Sequence, residues 1–249
     1  MFESARLKID RAKHHIRELG ETLDGYAKTA RVEFDKNGSE ATVTIDHKAE
    51  PACSLVIGDI VHNLRAALDH AFWELMGFDG GTQGRNTSLP IHPGGKRSDY
   101  EGTCKGIPTP RKDTKDLLVS FAAYPDGAGK ILCDLHAFDI TDKHSLLVPS
   151  MGIAALRDCV VVRPDGKRES WASADFGYRQ TIVGSNGVAF IKPYNGGRFE
   201  IQNDTKAALN IFFSQPDSLD LKPAIPTLDG FLSKVIGVVD DMERMVLKR

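Results

Sequence analysis

Apolar residues recur at helical spacing from the start of the chain. Ala5, Ile9, Ala12, Ile16, Leu19 and Leu23 fall on one side of residues 2–24, with Arg, Lys and Glu between them, a pattern that predicts a long amphipathic helix. From Ala30 to Lys48 the period changes to two. Val32 and Phe34 precede a Lys36-Asn37-Gly38-Ser39 turn, and Val43 and Ile45 follow it, which predicts a β-hairpin. Pro51 is suited to open a second helix, and Leu55 to Met76 runs on without a breaker other than Gly58 until a loop from Gly77 to Gly84. Residues 77–111 are rich in Gly, Pro, Ser and Thr and read as one long irregular connection, of the length that often serves as a lid or binding loop.

Two further helices are expected, Asp113 to Tyr124, opened by Asp113-Thr114, and Gly129 to Leu147, closed by Pro149. Beyond residue 149 the texture changes. β-branched and aromatic runs at 159–163, 181–183, 187–192, 198–202 and 207–213 alternate with Asp-Gly, Ser-Asn-Gly and Asn-Gly-Gly turns, which predicts a small antiparallel sheet. Pro223 and Pro226 precede a last helix, Leu228 to Leu247, with Phe231, Val235, Val238, Val239 and Met242 as its apolar stripe. The fold class implied is α+β: a bundle of N-terminal, central and C-terminal helices with an inserted antiparallel β-sheet. Its parts would be a helical region, 1–149, carrying the hairpin at 30–48; a sheet region, 150–222; and a C-terminal helix, 223–249, that docks back on the first part.

Composition narrows the function classes. A chain of 249 residues with 41% hydrophobic and 27% charged residues is ordinary globular usage, long enough to bury a core unaided. The formal net charge of −2 excludes a global basic field for non-specific DNA binding, so a nucleic-acid contact has to be local. Cys53, Cys104, Cys133 and Cys159 show neither CxxC pairs nor metal-ligand spacing and read as reduced core residues of a cytoplasmic protein. The charged, amphipathic first residues and the lack of a run of ~20 apolar residues argue against secretion and a membrane partner.

The candidate chemistry lies on the second helix. At about 100° per residue from His62, Arg65 falls near −60°, Asp69 near −20°, Asp59 near +60° and His70 near +80°, while Ile57, Ile60, Leu64, Leu68, Ala71 and Leu75 cover the opposite half. Imidazole titrates near neutral pH, guanidinium holds phosphate bidentately, and a carboxylate can orient an imidazole. The set suits phosphate-ester chemistry with Arg65, His70, His62 and Asp69 as the catalytic candidates. A second cluster, Asp134-Leu135-His136-Ala137-Phe138-Asp139-Ile140-Thr141-Asp142-Lys143-His144, repeats the chemistry, with His136, Asp139 and Lys143 on one face. Two such helices facing each other could share one site, in which Asp59, Asn63, His136, Asp142, Lys143 and His144 would be the substrate-binding candidates.

The stretch Gly58-Asp59-Ile60-Val61-His62-Asn63-Leu64-Arg65-Ala66-Ala67-Leu68-Asp69-His70, with Asp142-Lys143-His144-Ser145-Leu146-Leu147, resembles a family of uncharacterised bacterial and phage proteins with GD-hNLRsALDH and DKHrLL signatures. Arg65 and His70 also resemble the R-x4-H pattern of HEPN-type helical ribonucleases. That resemblance implies a homodimer that cleaves RNA without a metal or other cofactor, through the 2′-hydroxyl, with a role in phage-host conflict. His70 would be the general base, Arg65 the stabiliser of the phosphorane, and His62 and Asp69 the residues that orient them; an inactive relative would bind RNA or a nucleotide.

GxxxxGK[ST], GxGxxG behind a strand, HExxH and GxSxG are all missing, which removes P-loop, Rossmann, zincin and α/β-hydrolase readings. Two alternatives stay open. One is a metal-dependent hydrolase in which His62, Asp69, His70 and Glu74 combine with His136 or His144. The other is a non-catalytic binding or assembly protein whose polar helix is an ion-pair network, Arg65 with Asp69 and His62 with Asp59. The Lys192-Pro193-Tyr194-Asn195-Gly196-Gly197-Arg198 turn offers a basic, aromatic tip that could touch RNA.

Overall fold

A computed structural model describes residues 1–45, 49–144, 150–171, 181–182, 187–193, 196–200, 205–213, 219 and 222–248. The first helix, α1 (Glu3–Ala27), buries all six residues of its predicted stripe, from Ala5 to Leu23. It runs antiparallel along α2 (Ala49–Phe78), the axis of the helical layer, against which α5 (Lys130–His144) and α6 (Ala224–Leu247) also pack. Ile57, Ile60, Leu64, Leu68 and Leu75 of α2 are wholly buried, each worth about 1.5–3 kcal/mol relative to exposure. In α6, Phe231, Val235, Val238, Val239 and Met242 are buried as their spacing predicts. None of the helices among the described residues is long and apolar enough to cross a membrane.

The segment expected to be irregular contains a helix, α3 (Arg97–Gly106). Its signals are local and polar: Lys96 N–H donates to the Asp99 carboxylate 3.1 Å away, and Glu101 pairs with both Arg97 (2.7 Å) and Lys105 (3.4 Å) one turn to either side. Tyr100 and Cys104 are its buried residues, too few for apolar periodicity to reveal it. The Tyr100 hydroxyl donates to Leu118 O at 2.5 Å and fastens α3 to α4 (Lys112–Ser120). Helix α4 stops short of the expected Tyr124 because Ala122 turns left-handed (φ 48°), and its carbonyl accepts from Gly129 N at 3.0 Å. Residues 145–149, the expected end of α5, lie outside the described residues.

Nine antiparallel strands among the described residues form three three-stranded sheets, rather than the single sheet expected. The hairpin β1 (Arg31–Phe34) and β2 (Ala41–Thr44) forms as its turn predicts, with the Asp35 carboxylate accepting from Ser39 Oγ (2.8 Å) and Glu40 N (3.0 Å). It belongs to a sheet, since β2 pairs with β7 (Val188–Ile191). Gly38 adopts φ +67° and packs against Phe199 O so closely that a Cβ would sit 2.0 Å away, so glycine is required there. A second sheet orders β6 (Thr181–Ile182), β3 (Ser150–Arg157) and β9 (Lys206–Phe212). The third orders β5 (Arg168–Trp171), β4 (Cys159–Val162) and β8 (Arg198–Glu200). Asp158, left-handed at φ 57°, is the corner where the chain leaves β3 in one sheet and enters β4 in another. Strands β3 and β5 escape the residue pattern because Gly152, Ala154 and Ala155 dilute the first and Arg168-Glu169-Ser170 makes the second polar.

Candidate functional site

The polar arc of α2 is divided between three environments. Arg65 points inward and is only 7% exposed. Its Nη2 lies 3.0 Å from Asp69 Oδ1 and donates to Leu89 O at 3.2 Å, while Leu89 N–H donates to the same Asp69 oxygen at 3.0 Å. One ion pair thus engages both backbone groups of Leu89 and clamps the segment after α2 onto the helix. Burial pushes the Arg65 guanidinium below its ordinary value, against the pull of Asp69 and Asp139, and burial raises the Asp69 carboxyl, against Arg65 and the Leu89 N–H. Desolvation therefore exceeds the attraction for both partners, the usual balance of a buried pair.

The second environment lies between α2 and α5 and is centred on Asp139, 2% exposed. Its Oδ1 is 3.2 Å from His62 Nδ1 and its Oδ2 accepts from Lys143 Nζ at 2.5 Å. The His62 side chain is 57% exposed, so a sealed carboxylate orients an imidazole that faces solvent. With Nδ1–H donated to Asp139, Nε2 carries the lone pair. Arg65 feels the charge of Asp139 from behind. Arg65 Nη1 and His136 Nδ1 are both buried without a hydrogen-bond partner among the described residues. Burial and the charge of Arg65 hold His136 below its ordinary value, hence neutral. Asp142 packs on Gly58, where a Cβ would stand 2.5 Å from Asp142 Oδ1, and burial together with Asp139 and Asp59 raises its carboxyl.

The third environment is the cleft beside His70. That ring is exposed, with Nδ1 2.5 Å from Ser4 Oγ of α1. Five residues of α-helix separate Arg65 and His70 by about 140° around the axis, and within one copy of the chain they do not share a pocket. Within one copy the expected pair of Arg65 and His70 is therefore not formed: Arg65 is sealed against Asp69 and the Leu89 carbonyl, while His70 looks outward past Ser4.

The other expected residues distribute as follows. Asp59 is exposed, and its proposed partner His62 bonds Asp139 instead. Asn63 is internal: it donates to Asp59 O at 2.7 Å and accepts from Lys8 Nζ at 3.2 Å, which joins α2 to α1 and keeps it from a substrate. His136, Asp142 and Lys143 join the α2–α5 cluster, and the side chain of His144 lies outside the described residues. Lys192, just after β7, lies 3.6 Å from Glu40, and Tyr194 and Asn195 of the expected turn are outside the described residues. Asp139 is the residue of this cluster that reading α2 alone passes over; its signal is the face it shares with His136 and Lys143.

Among the described residues no three His, Cys, Asp or Glu side chains converge on a metal-sized site, contrary to the constellation expected of a metal-dependent hydrolase. All four cysteines are buried, as core residues should be. No family model, no curated protein and no solved structure matches this chain.

Proposed function

We propose that the chain is a metal-independent endoribonuclease acting on single-stranded RNA, with His62 as general base. The observation that carries the reading is the buried Asp139 carboxylate, which holds His62 on one oxygen and Lys143 on the other. His62 Nε2 takes the proton of a 2′-hydroxyl, the 2′-oxygen attacks the adjacent phosphorus, and the bond to the 5′-oxygen breaks. Water protonates the departing 5′-oxygen, and the imidazolium resets by giving its proton to the hydroxide left behind. Lys143, half exposed beside His62, neutralises charge on the phosphorane. Arg65 acts here as a positioning residue, fixing Asp69, Leu89 and the field around Asp139. The products are a 2′,3′-cyclic phosphate and a 5′-hydroxyl. Incubation of single-stranded RNA with the purified protein in EDTA tests the reading. Cleavage lost in His62→Ala and strongly reduced in Asp139→Asn supports it, and cleavage that survives His62→Ala ends it.

A second reading, a non-catalytic RNA-binding or assembly protein, is favoured by the clamping of Leu89 onto Arg65 and Asp69, a device that organises a fold without reacting. Stoichiometric RNA binding without any cleavage would select it.

A further inference from the structure

Between α2 and the 84–87 segment lies a cleft of about 460 Å³, the size of a small-ligand site. The chemistry on its walls is mixed in an informative way. Trp73 is 46% exposed, a large aromatic surface left open at the mouth. His70, Glu74 and Asp69 line the helix side, and Arg85 and Thr87 line the other. Glu74 Oε2 accepts from Phe2 N–H at 2.6 Å, and Asp69 Oδ1 takes Arg65 and Leu89 N. Each carboxylate keeps its second oxygen, without a hydrogen bond among the described residues, for donors brought by a ligand. Arg85 is exposed and makes no ion pair among the described residues.

The rim is built before any ligand arrives. Gly84 N–H donates to Thr87 Oγ1 at 2.9 Å and Thr87 N–H returns to Gly84 O at 3.1 Å, so Arg85 and Asn86 form the tip of a closed turn. Gln83 Nε2 donates to Trp73 O at 2.8 Å and ties that turn to the helix that carries the aromatic ring. Such preorganisation lowers the ordering entropy that binding has to overcome.

We infer that this cleft is a nucleobase-binding site: Trp73 stacks on the base, the free oxygens of Glu74 and Asp69 accept from its ring or amino N–H groups, and Arg85 holds the attached phosphate. Carboxylates accept from base amino groups, aromatic faces stack on unpaired bases, and guanidinium grips phosphate as a fork. A free nucleotide and one residue of a single strand present the same groups. The link to cleavage rests on the ribonuclease reading: Trp73 follows His62 by eleven residues, about 16 Å along the helix and only about 20° around it. A strand laid along this line of α2, exposed at both ends, then places the stacked base several nucleotides from the bond cut at His62.

The test uses the full chain in the His62→Ala background, so that no strand is consumed, with Trp171→Phe leaving Trp73 as the single tryptophan. Inorganic phosphate, a 5′-mononucleotide, and single-stranded oligoribonucleotides of increasing length are titrated while tryptophan emission is followed. Nucleotide and oligonucleotide should quench Trp73, and inorganic phosphate should not. Trp73→Leu, followed by isothermal calorimetry, should weaken binding roughly 5- to 150-fold, the usual contribution of one stacked base. Arg85→Ala should weaken the mononucleotide and flatten its salt dependence. Saturation by the mononucleotide assigns the cleft to a free nucleotide, and affinity that rises with strand length assigns it to RNA. No quenching by any base-bearing probe, or affinities unchanged in both variants, overturns the inference. Intact binding in a protein that never cleaves RNA removes the ribonuclease reading and leaves this one standing. Cleavage with an unaltered KM in Trp73→Leu does the reverse.

Discussion

Asp139 reaches across from α5 to place Oδ1 3.2 Å from Nδ1 of His62 on α2, and its other oxygen accepts from Lys143 at 2.5 Å. This contact joins two clusters 77 residues apart in the chain into one site. A carboxylate in this position fixes the tautomer and the orientation of the ring while leaving its far nitrogen to solvent.

On the ribonuclease reading, His62→Ala should lower kcat by about 10²–10⁴, the usual share of one general base. Asp139→Asn should lower it less, because the amide still orients the ring but without the carboxylate charge. Single-turnover cleavage makes the comparison, and a rate identical to wild type in Asp139→Asn would show that Asp139 does not position His62.

The clamp on Leu89 makes a prediction about stability. Asp69→Ala leaves a buried guanidinium without its counter-charge and should destabilise by about 3 kcal/mol, near the low end for buried pairs because Asp69 keeps some exposure. Replacing both, as Arg65→Met with Asp69→Leu, should come out far closer to wild type. Urea denaturation of the two variants gives the difference, and equal losses would mean that Arg65 and Asp69 are not coupled.

Gly58 and Asp142 form a testable pair. Alanine at a helical glycine ordinarily stabilises by up to about 1 kcal/mol, but here the new Cβ would lie 2.5 Å from the Asp142 carboxylate. Gly58→Ala should therefore be neutral or destabilising alone and stabilising in an Asp142→Ala background. A double-mutant cycle measures this, and additive effects would exclude the contact.

His136 gives a pH dependence whose sign is fixed. Burial and the charge of Arg65 hold its folded-state value below the ordinary 6.5, so the unfolded chain binds more protons in the window just under 6.5. Stability contributed by the neutral ring is present above that window and is lost as pH falls through it. Thermal melts from pH 7.5 downward should show the loss, and His136→Gln should flatten it; an unchanged slope would assign the effect elsewhere.

Burial raises the thiols of Cys133 and Cys159 to about 11, and Cys53 and Cys104 are fully covered. Native protein should resist a thiol-disulfide reagent at neutral pH and release all four thiols only on unfolding. Fast labelling of the folded protein would place at least one thiol at the surface.

The residue pattern by itself determined the elements whose signal is local. The stripes of α1 and α6 and the period-two hairpin around Gly38 follow from side-chain periodicity and turn chemistry, and both stripes are buried as their spacing requires. That same periodicity put Arg65 and His70 in one polar half of α2, about 140° apart. Helix α3 and strands β3 and β5 lay beyond such reading, because capping, charge pairing and neighbouring strands hold them rather than an apolar repeat. Tertiary structure alone decided which side of the polar arc is sealed. Leu89 folds over Arg65 and Asp69, Asp139 arrives from α5 to meet His62, and Ser4 with the 84–87 turn leaves His70 and Trp73 open. Helical spacing sets the direction in which a side chain leaves its own backbone, and the free energy of burying a charge depends on partners that arrive from distant parts of the chain.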